Sequence, residues 1–229
     1  MLKYGWLILI FAPATQAADV CRPADFTGPY VFQLFGMTDI SGTPQPTVSL
    51  GRIVFDGSGK MTGTSSAVFS GLLLGNPVTG TYELQQDCTL TWQLQDDSGA
   101  YQHFSGKISP DLVKVQFRQT DRGGTRGTME KTSDSCSSVD LPKKFIYTVS
   151  GSTKAMQAGQ VGHSVSAKGV IDSAGFQVDQ GCSVRFIVTT PDGETISMRG
   201  FLVNGSKEIL AFQTDPGAMV SARLTAVPE

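Results

Sequence analysis

Residues 88–123 read CTLTWQLQDDSGAYQHFSGKISPDLVKVQFRQTDRG, and residues 182–217 read CSVRFIVTTPDGETISMRGFLVNGSKEILAFQTDPG. The two stretches align without a gap. Cys88/Cys182, Gly99/Gly193, Gly106/Gly200, Gln119/Gln213, Thr120/Thr214, Asp121/Asp215 and Gly123/Gly217 are identical. Chance rarely places cysteines, glycines and a tripeptide in one register, so the chain carries a duplication. The openings of the copies agree as well. CRPADFTGPYVFQLFGMT from Cys21 matches CSSVDLPKKFIYTVSGST from Cys136 in its cysteine, Asp25/Asp140, Gly36/Gly151 and Thr38/Thr153. The offset between copies is 115 at their start and 94 at their end, so the second copy is 21 residues shorter. FDGSG (Phe55 to Gly59) is followed by a long alternating stretch, whereas IDSAG (Ile171 to Gly175) leads straight into FQVDQGC. The shortfall is one β-hairpin.

Strand signals dominate both copies. Leu90, Trp92 and Leu94 alternate with Thr91, Gln93 and Gln95, and Val184, Phe186 and Val188 repeat the apolar phase. Val113, Val115 and Phe117 alternate with Lys114, Gln116 and Arg118. Such alternation belongs to sheets with one buried face, and DDSG and PDG supply the turn chemistry between them. The first copy yields about eight strands and the second about six, on strand-and-turn reading. A meander of eight strands removes its exposed edges by closing into a barrel. The expected fold is therefore all-β: two tandem antiparallel meander barrels, residues 18–133 and 134–229, the second smaller by one hairpin or incompletely closed. A single sandwich or joint barrel is the alternative. An outer-membrane barrel is a third, opposed by the LTAVPE terminus without an aromatic and by turns that do not alternate short and long.

The N-terminus, MLKYGWLILIFAPATQA, has a basic residue, a short apolar run and a small-residue end, the build of a secretory leader cut after Ala17. Its apolar run falls short of the roughly 20 residues of a membrane-spanning helix. The expectation is a chain secreted to an extracellular or periplasmic location, without a membrane span; lipidation at Cys21 is disfavoured by Val20. Eighteen Lys and Arg stand against 20 Asp and Glu, with no block of like charge, so nucleic acid is not a favoured partner.

Four cysteines in an exported chain imply two disulfides, which pair in one of three ways. Inheritance of one bridge by each copy selects Cys21 with Cys88 and Cys136 with Cys182. Catalytic signatures are sparse. GHSVS (Gly162 to Ser166) lacks the closing glycine of a nucleophile elbow. His103 and His163 occupy unrelated places in the repeat, and with the cysteines committed to bridges no metal or other cofactor is expected. The repeated QTD reads as a corner in which Asp caps its own turn, and Asp56 and Asp172 open similar turns without the ligand spacing of a calcium loop. Aromatic residues Tyr30, Phe32, Tyr82, Trp92, Phe104 and Phe117 fall on inferred inward faces of the first copy. They either fill the barrel or line a pocket for a small apolar ligand.

GPY (Gly28 to Tyr30), GRIVFDGSGKMTG (Gly51 to Gly63), GTYELQQDCTLTW (Gly80 to Trp92) and QTDRGGTRGTM (Gln119 to Met129) resemble a group of secreted proteins with lipocalin-like or avidin-like, that is calycin-like, barrels. The resemblance implies a closed barrel with a ligand-holding interior. Residues and resemblance together point to a non-enzymatic secreted protein whose first barrel binds a small apolar or amphiphilic ligand. A surface-acting structural module towards a protein or glycan partner is the second reading, and a hydrolase or isomerase at an open barrel end is the third.

Overall fold

The computed structural model describes residues 21–40, 43–69, 72–97, 99, 101–121, 124–153, 163–191, 193–215 and 219–228; the leader expected at 1–17 lies outside them. The first copy forms β1 (Thr27–Ile40), β2 (Thr43–Asp56), β3 (Lys60–Phe69), β4 (Leu72–Leu84), β5 (Thr89–Asp96), β6 (Tyr101–Ile108), β7 (Lys114–Gln119) and β8 (Arg126–Lys131). Each strand pairs with the next, and β8 returns to β1 with Tyr30 opposite Lys131 and Phe35 opposite Arg126. The eight strands close a barrel. The apolar phase faces inward while Lys107, Gln116 and Arg118 face out, the reverse of a membrane-spanning barrel. Among the described residues no helix is long and apolar enough to cross a membrane.

One end of the barrel is plugged. A single 3-10 turn, Pro23–Asp25, delivers Phe26 beneath the strands, where its ring meets Tyr30 at 4.7 Å, Phe55 at 4.6 Å and Tyr82 at 5.9 Å. The Tyr30 hydroxyl donates to Leu112 O at 2.6 Å, and the Tyr82 hydroxyl donates to Phe26 O at 3.3 Å. Burial pushes both phenols above their ordinary pKa. The Cys21–Cys88 disulfide ties this plug to the turn before β5.

The second copy forms β9 (Lys144–Thr153), β10 (His163–Asp172), β11 (Gln177–Val178), β12 (Ser183–Thr189), β13 (Thr195–Val203), β14 (Glu208–Gln213) and β15 (Met219–Ala226). That is one strand more than its alternation predicts, the addition being the two-residue β11, too short to show a period. The sheet runs β10-β9-β15-β14-β13-β12-β11. Among the described residues no ladder joins β10 to β11, because the hairpin that bridges the corresponding strands in the barrel, β3 with β4, has no counterpart. The Cys136–Cys182 disulfide repeats the first bridge, so the pairing expected from the duplication holds. The two copies agree in detail: Cys88 and Cys182 both have φ 64° and donate from N–H to Gln85 O and Asp179 O at 2.9 and 3.0 Å. Phe176 occupies the place of Tyr82 and stacks on Phe186 with centroids 4.8 Å apart.

The ladders correct one alignment. Phe32 faces Gly51 across β1 and β2, and Tyr147 faces Gly169 across β9 and β10. The register therefore displaces β10 by two residues from the match of FDGSG with IDSAG, an even shift that keeps every side chain on its face. In both copies the aromatic ring lies over its glycine: a methyl group on Gly51 would sit 2.6 Å from Phe32 Cζ, and one on Gly169 2.6 Å from the Tyr147 hydroxyl. The absence of a side chain is what admits the ring.

The sheets meet through outer faces. Val31, Val48 and Leu50 of the barrel pack against Phe201, Val203, Leu210 and Phe212 of the second sheet, all buried. Gln33 Nε2 donates to Ala211 O at 3.0 Å and Thr132 Oγ1 to Leu202 O at 2.6 Å across this joint. Both contacts satisfy polar groups that burial would otherwise leave costly.

Candidate functional site

Inside the barrel, side chains sort into layers along the axis. Above the plug, Trp92 stacks on Phe104 at 5.2 Å and takes the edge of Phe117 at 5.0 Å. The space these rings share with Ile53 and Met129 has a free volume of about 0 Å³. Small barrels are commonly filled in this way. Above this layer the inward positions become small and polar, and a cup of about 110 Å³ opens. Its floor is Phe32, Leu34, Val78 and Leu94, and its wall comprises Thr47, Ser49, Ser65, Ala67, Asn76, Asp96, Gln102, Gln119 and Thr125.

Strand phase explains the arrangement. On β2 the inward set is Thr47, Ser49, Gly51, Ile53 and Phe55, so one face runs from polar at the mouth to aromatic at the plug. The hydroxyls of Ser49 and Ser65 lie 3.0 Å apart, and Ser49 Oγ also reaches Ser66 O at 3.2 Å. Thr125 Oγ1 donates to Gln119 Oε1 at 2.6 Å. Among the described residues the side-chain amides of Asn76 and Gln102 make no hydrogen bond to protein, so both donors and acceptors face the cup's contents. Among the described residues the wall holds no Lys or Arg, and Asp96 supplies the one carboxylate.

Of the aromatic residues proposed from the sequence, Phe32 lines the cup. Trp92, Phe104 and Phe117 gather directly beneath it in the filled layer, while Tyr30 and Tyr82 belong to the plug at the opposite end. Sequence reading missed the polar wall. The signal was present in Thr47 and Ser49, which continue the phase of Ile53 and Phe55. Val48 and Leu50 masked it by offering a stronger apolar phase that in fact faces the joint.

The QTD corner departs from expectation. Asp121 accepts from the His103 backbone N–H at 2.6 Å and approaches His103 Nδ1 at 2.9 Å, so it ties its corner to the neighbouring strand instead of capping its own turn. Burial raises the Asp121 pKa, and the hydrogen bonds from His103 outweigh it, leaving the carboxyl below its ordinary value. In the second copy Asp215 accepts from Gln213 Nε2 at 2.9 Å. His103 lies on the barrel's outer face, away from the cup. His163 opens β10, and its side chain lies outside the described ones. Among the described residues no three His, Cys, Asp or Glu side chains group as metal ligands would.

No protein-family model matches the chain, and no curated protein is significantly similar to it.

Proposed function

We propose that this is an exported, non-enzymatic binding protein of calycin-like build that holds a small amphiphilic molecule in the mouth of its closed barrel. The observation that carries this reading is the layering: a plugged end, a filled aromatic layer, and above it a cup with an apolar floor and a wall of hydroxyls and amides. Pockets for drug-sized ligands run to about 300–1,000 Å³. The cup's 110 Å³ suits a much smaller occupant, or the end of a longer one that projects from the mouth. An apolar tail would rest on Leu34, Val78 and Leu94, with its polar group bonded to Asn76 and Gln102. Both disulfides, together with the leader in the sequence, support export, since such bridges persist in oxidising compartments.

The test is to purify the protein from its native host, release bound compounds by denaturation and identify them by mass spectrometry, then titrate them back. Trp92 lies just beneath the floor, so its fluorescence should respond to filling of the cup. A saturable response abolished by Gln102→Ala supports the reading. Failure to retain any compound, together with no response to a panel of short alcohols, amides and fatty acids, overturns it.

A further inference from the structure

The second sheet carries a different opening. Where the hairpin is missing, a cleft of about 690 Å³ lies over β11, β12 and β13, with Phe176, Ile187, Arg185 and Arg199 among its lining residues. This volume falls within the ordinary range for ligand pockets. Arg185 and Arg199 are direct cross-strand partners, so their side chains share one face of the sheet. Like charges in that relation destabilise a sheet unless something neutralises them.

Among the described residues neither arginine forms an ion pair, and the buried Arg199 Nε has no hydrogen-bond acceptor. A buried donor left unpaired costs about 1–3 kcal/mol. The carboxylate that also lines the cleft, Asp172, accepts from Ala174 N at 2.8 Å and forms no ion pair with either arginine. The fold does not demand this arrangement, because the barrel's corresponding pair is neutral: Thr91 stands opposite Ser105. The Arg185 and Arg199 pair therefore belongs to the second copy alone.

We propose that this cleft is a binding site for an oxyanion on an apolar carrier: a carboxylate, sulfate or phosphate held by Arg185 and Arg199, with the carrier against Ile187, which shares their face of the sheet. Guanidinium groups are suited to this task because they present paired donors to two oxygens at once. An acceptor bound there would relieve the repulsion between the two charges.

The experiment follows arginine Nε–Hε resonances by NMR in the full secreted protein. Benzoate, benzenesulfonate and phenyl phosphate are titrated separately at constant ionic strength, with inorganic sulfate as the carrier-free comparison. At least one aromatic anion should shift the Arg199 resonance saturably and bind more tightly than sulfate; which anion binds best assigns the headgroup. Arg185→Gln should weaken that binding by at least about fivefold, since one charge-assisted contact is lost. Arg52, whose Nε is also buried and unpaired, is the control, and Arg52→Gln should leave binding unchanged. A folded protein that gives no saturable shift with any of the anions, or equal shifts at Arg52 and Arg199, overturns the proposal. If Arg185→Gln fails to fold, Arg185→Lys replaces it, with the same loss expected.

Discussion

Arg223 in the last strand grips Glu130 in β8 across the joint, with Nη1 to Oε1 at 3.0 Å and Nη2 to Oε2 at 3.1 Å. The same guanidinium also holds Glu208 of its own sheet, and Lys114 approaches Glu130 at 3.2 Å. Glu130 is buried while Arg223 stays half-exposed, so solvent screens part of the attraction. Glu130→Ala should destabilise the protein by about 1–3 kcal/mol, less than a fully enclosed pair would lose. A double-mutant cycle with Arg223→Ala in urea should give a coupling of about 1 kcal/mol. Additive single effects would show that the contact contributes nothing to the joint.

The disulfides join residues separated by 67 and 46 positions. On the chain-entropy model each removes about 4 kcal/mol of freedom from the unfolded chain. Replacing Cys21 and Cys88 together by Ala should cost about that amount, and position 88 keeps a φ of 64° that any L side chain, cysteine or alanine, adopts unwillingly. Cys21→Ala/Cys88→Gly should recover part of the loss. Equal unfolding midpoints for the two double variants would contradict the backbone component.

Asp56 accepts from Ser58 Oγ at 2.6 Å and from the N–H groups of Ser58 and Lys60, which lowers its pKa from 3.8 to about 2. Asp87 falls to about 2 through its hydrogen bond from Lys107, aided by Thr89. A folded-state pKa below the unfolded value means that the stabilisation is complete above pH about 4 and fades as pH drops towards 2. Acid unfolding should therefore steepen across that window. Carboxyl carbon shifts followed by NMR should place both inflections near its lower end, and Asp56→Asn should flatten the corresponding part of the stability curve. Inflections at ordinary carboxylate values would refute the turn geometry.

Gly51→Ala forces a methyl group into the Phe32 ring inside a closed barrel, while Gly169→Ala meets Tyr147 beside the sheet's unpaired edge. Overpacking costs typically about 1–3 kcal/mol, and β10 can yield where β2, paired on both sides, cannot. The first substitution should therefore lower the melting temperature more than the second. The opposite order would mean that the second sheet is the more rigid.

Filling the cup tests its role without dismantling the barrel. Ala67→Phe occupies the space above Leu34 and Leu94, and should abolish ligand-induced change in Trp92 fluorescence while leaving the circular dichroism spectrum intact. Binding that survives the substitution would place the ligand elsewhere.

Much of this architecture could be read before any coordinates. The gapless match between Cys88 and Cys182 yielded the duplication, the disulfide pairing and the missing hairpin, because turns, bridges and alternation are local signals. The joint could not be read in the same way. Phe201–Val203 and Ile209–Phe212 are continuous apolar runs, which mark strands buried on both faces, but a run alone does not say what covers the second face. The cup suffered from the same ambiguity on β2, where apolar Val48 and Leu50 point to the joint and polar Ser49 points inward.

The joint also has a direction. It sets β1 and β2 of one copy against β13 and β14 of the other, strands that are not equivalent in the repeat, so it is head-to-tail, the kind of contact that, unlike a twofold one, propagates from unit to unit. At most of the matching positions the two remaining halves of that contact are polar, Ile146 in the place of Val31 being the exception. Where the barrel presents Val48 and Leu50, the ladder places Ser166 and Lys168 on the second sheet; where that sheet presents Phe201, Leu210 and Phe212, the barrel has Lys107, Gln116 and Arg118. The array is thus capped at both ends after two units, as repeat proteins cap theirs. Restoring apolar residues at those positions should turn the protein into a polymer.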